Sequence, residues 1–186
     1  MSVIQIDKAL YIGQGLDREC YLHPDDPGKC IKITISGDYR QHNDDIKYYN
    51  RLQKRDICWQ QVARFYGLCT TSSGSGLIFE VVRDFDGSIS RSLRDYIRNN
   101  GHPIDKAQLH QELSRLKDYL LEHAIIMRDL KDDNILLQRL DQNETRLVVI
   151  DGIGNNEFIP ISELTPVFTR MKINRKWEKF IRKLQA

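Results

Sequence analysis

From Met127 to Asn134 the chain reads Met-Arg-Asp-Leu-Lys-Asp-Asp-Asn, and seventeen residues beyond Asn134 an apolar run, Leu147-Val148-Val149-Ile150, delivers Asp151. These residue types match the separate tasks of phosphoryl transfer. Asp129 is placed to orient a hydroxyl nucleophile and accept its proton late in a loose transition state. Lys131, two residues on, is placed to neutralise charge on the transferred group. Asn134 and Asp151 are hard oxygen donors of the kind that hold Mg²⁺ against phosphate oxygens. Asp132 and Asp133 carry no assigned task and are expected to be solvated.

Such groups need elements to hold them. Leu113, Leu116, Leu120 and Leu121 recur at helical spacing, which predicts a helix from about Asp105 to His123 running into the polar loop. Asn134-Ile135-Leu136-Leu137 then reads as a short strand, and Leu147–Ile150 as a second that ends at Asp151. Helix, polar loop, strand, turn, strand, aspartate is the order of a protein-kinase C-lobe, with R-D-L-K-x-x-N as its catalytic loop. Two positions depart from that pattern. Met127 stands where His is usual and is expected to fill an apolar site. The metal-binding segment reads Asp151-Gly152-Ile153-Gly154, without the aromatic of D-F-G; Gly152 supplies backbone freedom and Ile153 is expected to pack in its place. Thirty-five residues follow Asp151, with no A-P-E segment, so a truncated C-lobe with little platform for a peptide is expected.

The first eighty residues predict a sheet with one helix. Ala9–Gly15 ends in a G-x-G turn, Glu19–His23 is a second strand, Pro24–Gly28 a turn, and Cys30–Ile35 a third strand. A helix from Asn43 to about Lys54 buries Ile46, Tyr49 and Leu52. Val62–Thr70 and Gly76–Val82 are further strands, the latter the candidate for the sheet's centre. Gly13 and Gly15 lack side chains, so their N–H groups are open to close approach by phosphates. Lys32, flanked by Ile31 and Ile33, is expected on the opposite, solvated face, pairing with the α- and β-phosphates of a nucleotide. An acid on the following helix would orient it; Asp44 and Asp45 are the candidates, with Asp45 favoured because it precedes Ile46 and Tyr49. Glu80 and Val82, at the end of the last strand, are assigned to the nucleotide as well.

Beyond this strand Ser90 is expected to cap a helix burying Leu93, Tyr96 and Ile97, broken at Gly101-His102-Pro103. Two further helices are expected, Ile161–Leu164 and Lys176–Leu184, the last with a basic face read as solvated.

Composition excludes several classes. A net charge of +2 on 186 residues gives no global field toward nucleic acid or membrane. The basic residues 175 to 183 have only Trp177 and Phe180 among them, too little for a stacking platform, so no nucleic-acid partner is expected. The apolar runs are far shorter than the ~20 residues a membrane span requires, and the N-terminus has no signal-peptide pattern. A cytoplasmic protein follows. Cys20, Cys30, Cys58 and Cys69 have no C-x-x-C spacing and read as small buried hydrophobes in a reduced protein.

The chain resembles the YrbL family of bacterial proteins, known for induction under the PhoP regulator of magnesium-limited growth. Lys32-Ile33, Asp45–Tyr49, Arg128–Lys131 with Asn134, Val149–Gly154 and the basic tail with Trp177 carry the match. The resemblance implies a short, kinase-like, cytoplasmic protein and covers nearly the whole chain. The combined expectation is an α+β, compact two-lobed protein-kinase-like fold with a truncated C-lobe, residues 1–84 forming the N-lobe and 85–186 the C-lobe. The expected function is ATP- and Mg²⁺-dependent phosphotransfer to a hydroxyl on a protein, a sugar or a lipopolysaccharide component. The alternative is a non-catalytic module of pseudokinase type that senses nucleotide or Mg²⁺.

Overall fold

The computed structural model describes residues 3–98, 105–154 and 165–184. The chain divides into two compact units, Met1–Trp59 with Ala63–Val82, and Gln60–Val62 with Arg83–Ala186. The expected break at Gly101–Pro103 and the helix Ile161–Leu164 lie outside the described residues.

The first unit is a five-stranded antiparallel sheet: β1 (Tyr11–Gln14), β2 (Arg18–His23), β3 (Asp26–Thr34), β4 (Phe65–Thr71) and β5 (Gly74–Glu80), in the order β1-β2-β3-β5-β4. The centre is therefore β3, the strand of Lys32, and not the strand ending at Glu80. Side chains alternate along β3. Ile31 and Ile33 turn to one face, where they pack with Tyr21 and the partly buried Ile4, Ile6 and Cys69. Lys32 takes the other face, and that face is covered. There α1 (Arg40–Lys54) buries His42, Asp45, Tyr48, Tyr49 and Leu52. Tyr49 meets Phe79 of β5 edge-on with ring centroids 5.0 Å apart. Gly76 has a packing reason: a Cβ there would lie 2.6 Å from Ile31 Cγ2.

The second unit has a three-stranded antiparallel sheet in the order β6 (Arg91–Ser92), β7 (Ile135–Arg139), β8 (Thr145–Val149). Around it run α2 (Leu93–Arg98), α3 (Lys106–Glu122) and α4 (Pro166–Leu184). Asp105 caps α3 by accepting from the Gln108 N–H at 3.0 Å, and the leucine stripe Leu113, Leu116 and Leu120 is buried as its spacing demands. The cap of α2 is Ser92 rather than Ser90. Ser92 Oγ accepts from the Asp95 N–H at 3.2 Å while the Asp95 carboxylate accepts from the Ser92 N–H at 3.3 Å, a capping box. Ser90 is instead buried and donates to Asp84 Oδ1. The last helix begins ten residues earlier than expected, at Pro166, because Thr165 accepts at its N-terminus from the Phe168 N–H and Pro166 fits its first turn. Gln60–Val62 adds to this unit through a parallel bridge from Val62 to Val149.

Candidate active site

The candidate catalytic loop leaves α3 through Ala124, whose φ of 44° turns the chain sharply. Ile125, Ile126 and Met127 are then buried side by side. Met127 is 2% exposed and bridges Ile153 in an antiparallel pairing. The thioether thus occupies an apolar site, and Ile153, also buried, packs where an aromatic was absent from the sequence.

That pairing is a short main-chain ladder. The Gly154 N–H donates to the Ile126 carbonyl at 2.9 Å and the Asp129 N–H to the Gly152 carbonyl at 3.0 Å. The Ile150 N–H donates to the Asn134 carbonyl at 2.9 Å. Gly152 sits at φ +76°, and a Cβ there would run into the Asp129 carbonyl oxygen and lie 2.7 Å from Asn134 Nδ2. Only glycine fits both the angle and the gap.

The side chains converge on this frame. Asn134 Nδ2 donates to the Asp129 carbonyl at 2.9 Å. Only the amide NH₂ can satisfy a carbonyl, so Oδ1 is the atom left for a cation. Asp151 Oδ1 accepts from the following Gly152 N–H at 2.7 Å. Lys131 Nζ lies 2.9 Å from Asp129 Oδ2, and the Asp129 side chain is 55% exposed, open to a group approaching from outside. An amide oxygen and a carboxylate are a hard donor set that suits Mg²⁺, which keeps waters and takes further oxygens from phosphates. Among the described residues no group of three or more His, Cys, Asp or Glu side chains is placed to hold a metal ion.

Asp132 and Asp133 are not simply solvated. Arg94 of α2 grips both: Nη2 is 3.0 Å from Asp132 Oδ1, with the Asp132 side chain only 16% exposed, and Nη1 reaches Asp133. Burial alone would push the Asp132 carboxyl up; the Arg94 guanidinium overrides it and holds the group below its ordinary value. Nor is the basic tail uniformly solvated. Lys172 is buried, and Lys176 Nζ donates to the Arg128 carbonyl at 2.7 Å. Both contacts escaped the sequence reading. The spacing of Lys172, Ile173, Lys176, Trp177 and Phe180 on one helical face was the available signal for the second.

In the first unit, Lys32 is buried, with Nζ 4.9 Å from the Phe79 ring centroid; the expected solvated face is not what surrounds it. Asp45 is buried and pairs with Arg18 of β2, a partner not anticipated, while Asp44 points outward beside Lys47 at 3.8 Å. Gly13 pairs with Cys20, and the Gly15 N–H donates to the Arg18 carbonyl at 2.8 Å. A Cβ on Gly13 would meet nothing within 4 Å, and on Gly15 only the Arg18 carbonyl at 4.0 Å. Glu80 is used within the sheet, its carboxylate accepting from the Arg64 N–H at 3.1 Å, and Val82 is buried. The Cys30 thiol is pushed up by its hydrogen bond with Cys20 and then by burial, so it is an inert core group; Cys58, by contrast, is exposed. A separate cavity of about 780 Å³ in the second unit is lined by Asp84, Tyr96, Gln108, Arg139 and Thr145, none of them in the segment Met127–Asn134.

The architecture is that of a protein kinase. A solved crystal structure of a kinase domain superposes with a TM-score of 0.58 at 19% identity, covering 80% of this chain and 51% of that one. The chain thus spans about half the length of that domain. Within this class the chain belongs to the YrbL family: residues 4–185 match the family described as PhoP regulatory network protein YrbL. It is 34% identical over 182 residues to the uncharacterized protein YrbL of Escherichia coli K12, covering 96% of this chain and 87% of that protein, and equally to its counterpart in Shigella flexneri. No helix among the described residues is long and apolar enough to cross a membrane.

Proposed function

We propose that the protein is an ATP- and Mg²⁺-dependent phosphotransferase acting on a hydroxyl acceptor. The observation that carries this reading is the ordered loop: Asp129, Lys131 and Asn134 are held together with the Asp151 segment by side-chain and main-chain bonds at once. A surface turn with no chemistry to perform has no use for that frame. ATP and Mg²⁺, when bound, supply the phosphoryl group and neutralise its charge. Asp129 orients the acceptor hydroxyl and takes its proton as the new P–O bond forms and the bond to the ADP oxygen breaks. Lys131 shields charge on the transferred group, and Asn134 Oδ1 with Asp151 holds the cation. In the first unit, Lys32 anchors the nucleotide phosphates and Asp45 steadies that strand-helix pair. Gly13 and Gly15 support the reading because neither backbone angle nor packing demands glycine there, so the missing Cβ serves something that approaches from outside. Glu80 and Val82 border the nucleotide's base in this reading.

The test is thermal unfolding with ATP and Mg²⁺ varied separately. A ligand that binds only the folded state raises the melting temperature. A rise that needs both, and that Asp151→Ala abolishes, is expected. A rise with ATP alone, unchanged in Asp151→Ala, would favour the nucleotide-sensing module.

A further inference from the structure

Helix α4 carries a charge opposite in sign to the rest of the chain. Seven of the 28 basic residues and one of the 26 acidic ones lie on it, so the helix holds +6 and the remaining residues −4. The overall +2 thus hides a local field. One face of the helix is turned inward, where Thr169, Lys172, Ile173, Trp177 and Phe180 are buried. Phe168, Met171, Arg175, Lys179 and Arg182 recur every three or four residues along another face, and all five are exposed.

That outer face is divided along its length. Its start is apolar: Val167, Phe168 and Met171 are 65%, 50% and 61% exposed. No other five consecutive residues among those described expose three large hydrophobic side chains. Single exposed hydrophobics are ordinary, but three in neighbouring positions leave in water an apolar patch that a folded chain normally covers. The later turns are basic, and Arg175, Lys179 and Arg182 each carry their charge on a long apolar stem. Glu178 is the single acidic side chain of the helix.

We infer that this face of α4 docks on the surface of an anionic lipid bilayer. A convex helix face has no groove for the side chains of a folded partner. A bilayer interface needs none, because it takes apolar groups at the acyl boundary and cations among the headgroups. Each Lys or Arg held near an anionic surface tightens binding about fivefold, so several basic residues and an apolar patch on one face add to a stable attachment. The attachment is peripheral, since no helix among the described residues is long and apolar enough to cross a membrane. It needs no turnover at Asp129 and stands apart from the phosphotransferase reading.

The test is cosedimentation of the full chain with vesicles, of phosphatidylcholine alone and of an equimolar mixture with phosphatidylglycerol. Binding is expected on the mixed vesicles, little on phosphatidylcholine, and it should weaken as salt screens the charges. Arg175→Gln with Lys179→Gln is expected to weaken it about thirtyfold. Phe168→Gln with Met171→Gln is expected to weaken it about tenfold. Arg175→Lys with Lys179→Arg, which keeps both charges, keeps binding and separates lost charge from a folding defect. Lys54→Gln with Lys106→Gln removes the same charge from exposed sites off α4 and leaves binding unchanged. An equal loss in that last pair would mean a diffuse field and overturn the inference. So would equal binding to phosphatidylcholine alone, or no binding to the mixed vesicles. A protein that ignores vesicles but forms a dimer, which Phe168→Gln with Met171→Gln dissolves, would replace the bilayer by a second copy of the chain.

Discussion

Arg18 of β2 and Asp45 of α1 form a buried ion pair, with 8% and 3% of their side chains exposed. The pair ties the helix to the sheet on the face that also carries Lys32. We predict that Arg18→Ala or Asp45→Ala alone costs about 3–5 kcal/mol, because each leaves a buried charge without its partner. Arg18→Met combined with Asp45→Leu is expected to cost less than either single change. Urea denaturation of the three variants checks this; additive losses would show that the pair is not coupled.

Gly152→Ala is expected to be severe out of proportion to one methyl group. The methyl meets the Asp129 carbonyl and Asn134 Nδ2, and a φ of +76° is unfavourable for alanine. We predict a stability loss of about 1–3 kcal/mol and, because the base and Asn134 move together, phosphotransfer reduced on the order of a hundredfold. Denaturation and turnover measured on the same preparation test both halves. A variant as stable and active as the parent would show that the ladder yields freely.

Arg94→Ala removes the clamp on Asp132 and Asp133 without touching a reacting group. The clamp is partly exposed, so the stability change is expected to stay within about 1 kcal/mol. Phosphotransfer should fall through kcat, with the KM for ATP little changed, since what is lost is the loop's rigidity. A rise in KM alone would contradict this.

His42 makes stability depend on pH. It is buried on α1, its ring nitrogens 3.4 Å from Thr34 Oγ1 and 3.3 Å from Ser75 Oγ. Burial, then Arg18, lowers its pKa from the ordinary 6.5, with Asp45 opposing. The folded state therefore binds the proton less readily than the unfolded chain. The contribution is fully present above 6.5 and is lost as pH falls from there through the folded value, at a slope of at most ~1.4 kcal/mol per pH unit. His42→Gln should flatten the profile between pH 7 and pH 5 by this amount. An unaltered slope in that variant would assign the titration to another group.

Local pattern carried much of this far. The leucine stripe of α3, the alternation through Cys30–Ile35 and the spacing from Asp129 to Asp151 are all one-dimensional signals, and the kinase-like α+β fold was readable from them. What was not readable depends on residues distant in the chain. The central place of β3 follows from β5 returning between β3 and β4, which no pattern within either strand encodes. Arg94 meets Asp132 across 38 residues, and Lys176 meets Arg128 across 48. Nothing near Lys32 announces that α1 covers its face. The missed cap at Ser92 and the missed start at Thr165-Pro166 are different, for both are local signatures lying in plain sequence.

Peptide groups, not side chains, join the Asp129 segment to the Asp151 segment through Ile126, Asp129, Gly152 and Gly154. Every residue type except proline offers the same N–H and C=O, so the joint is indifferent to the side chains that flank it. A search keyed to histidine before Arg128 and an aromatic after Asp151 would pass over this chain while its scaffold stands intact. Distant chains of this fold are better sought by the glycine that such a joint cannot do without.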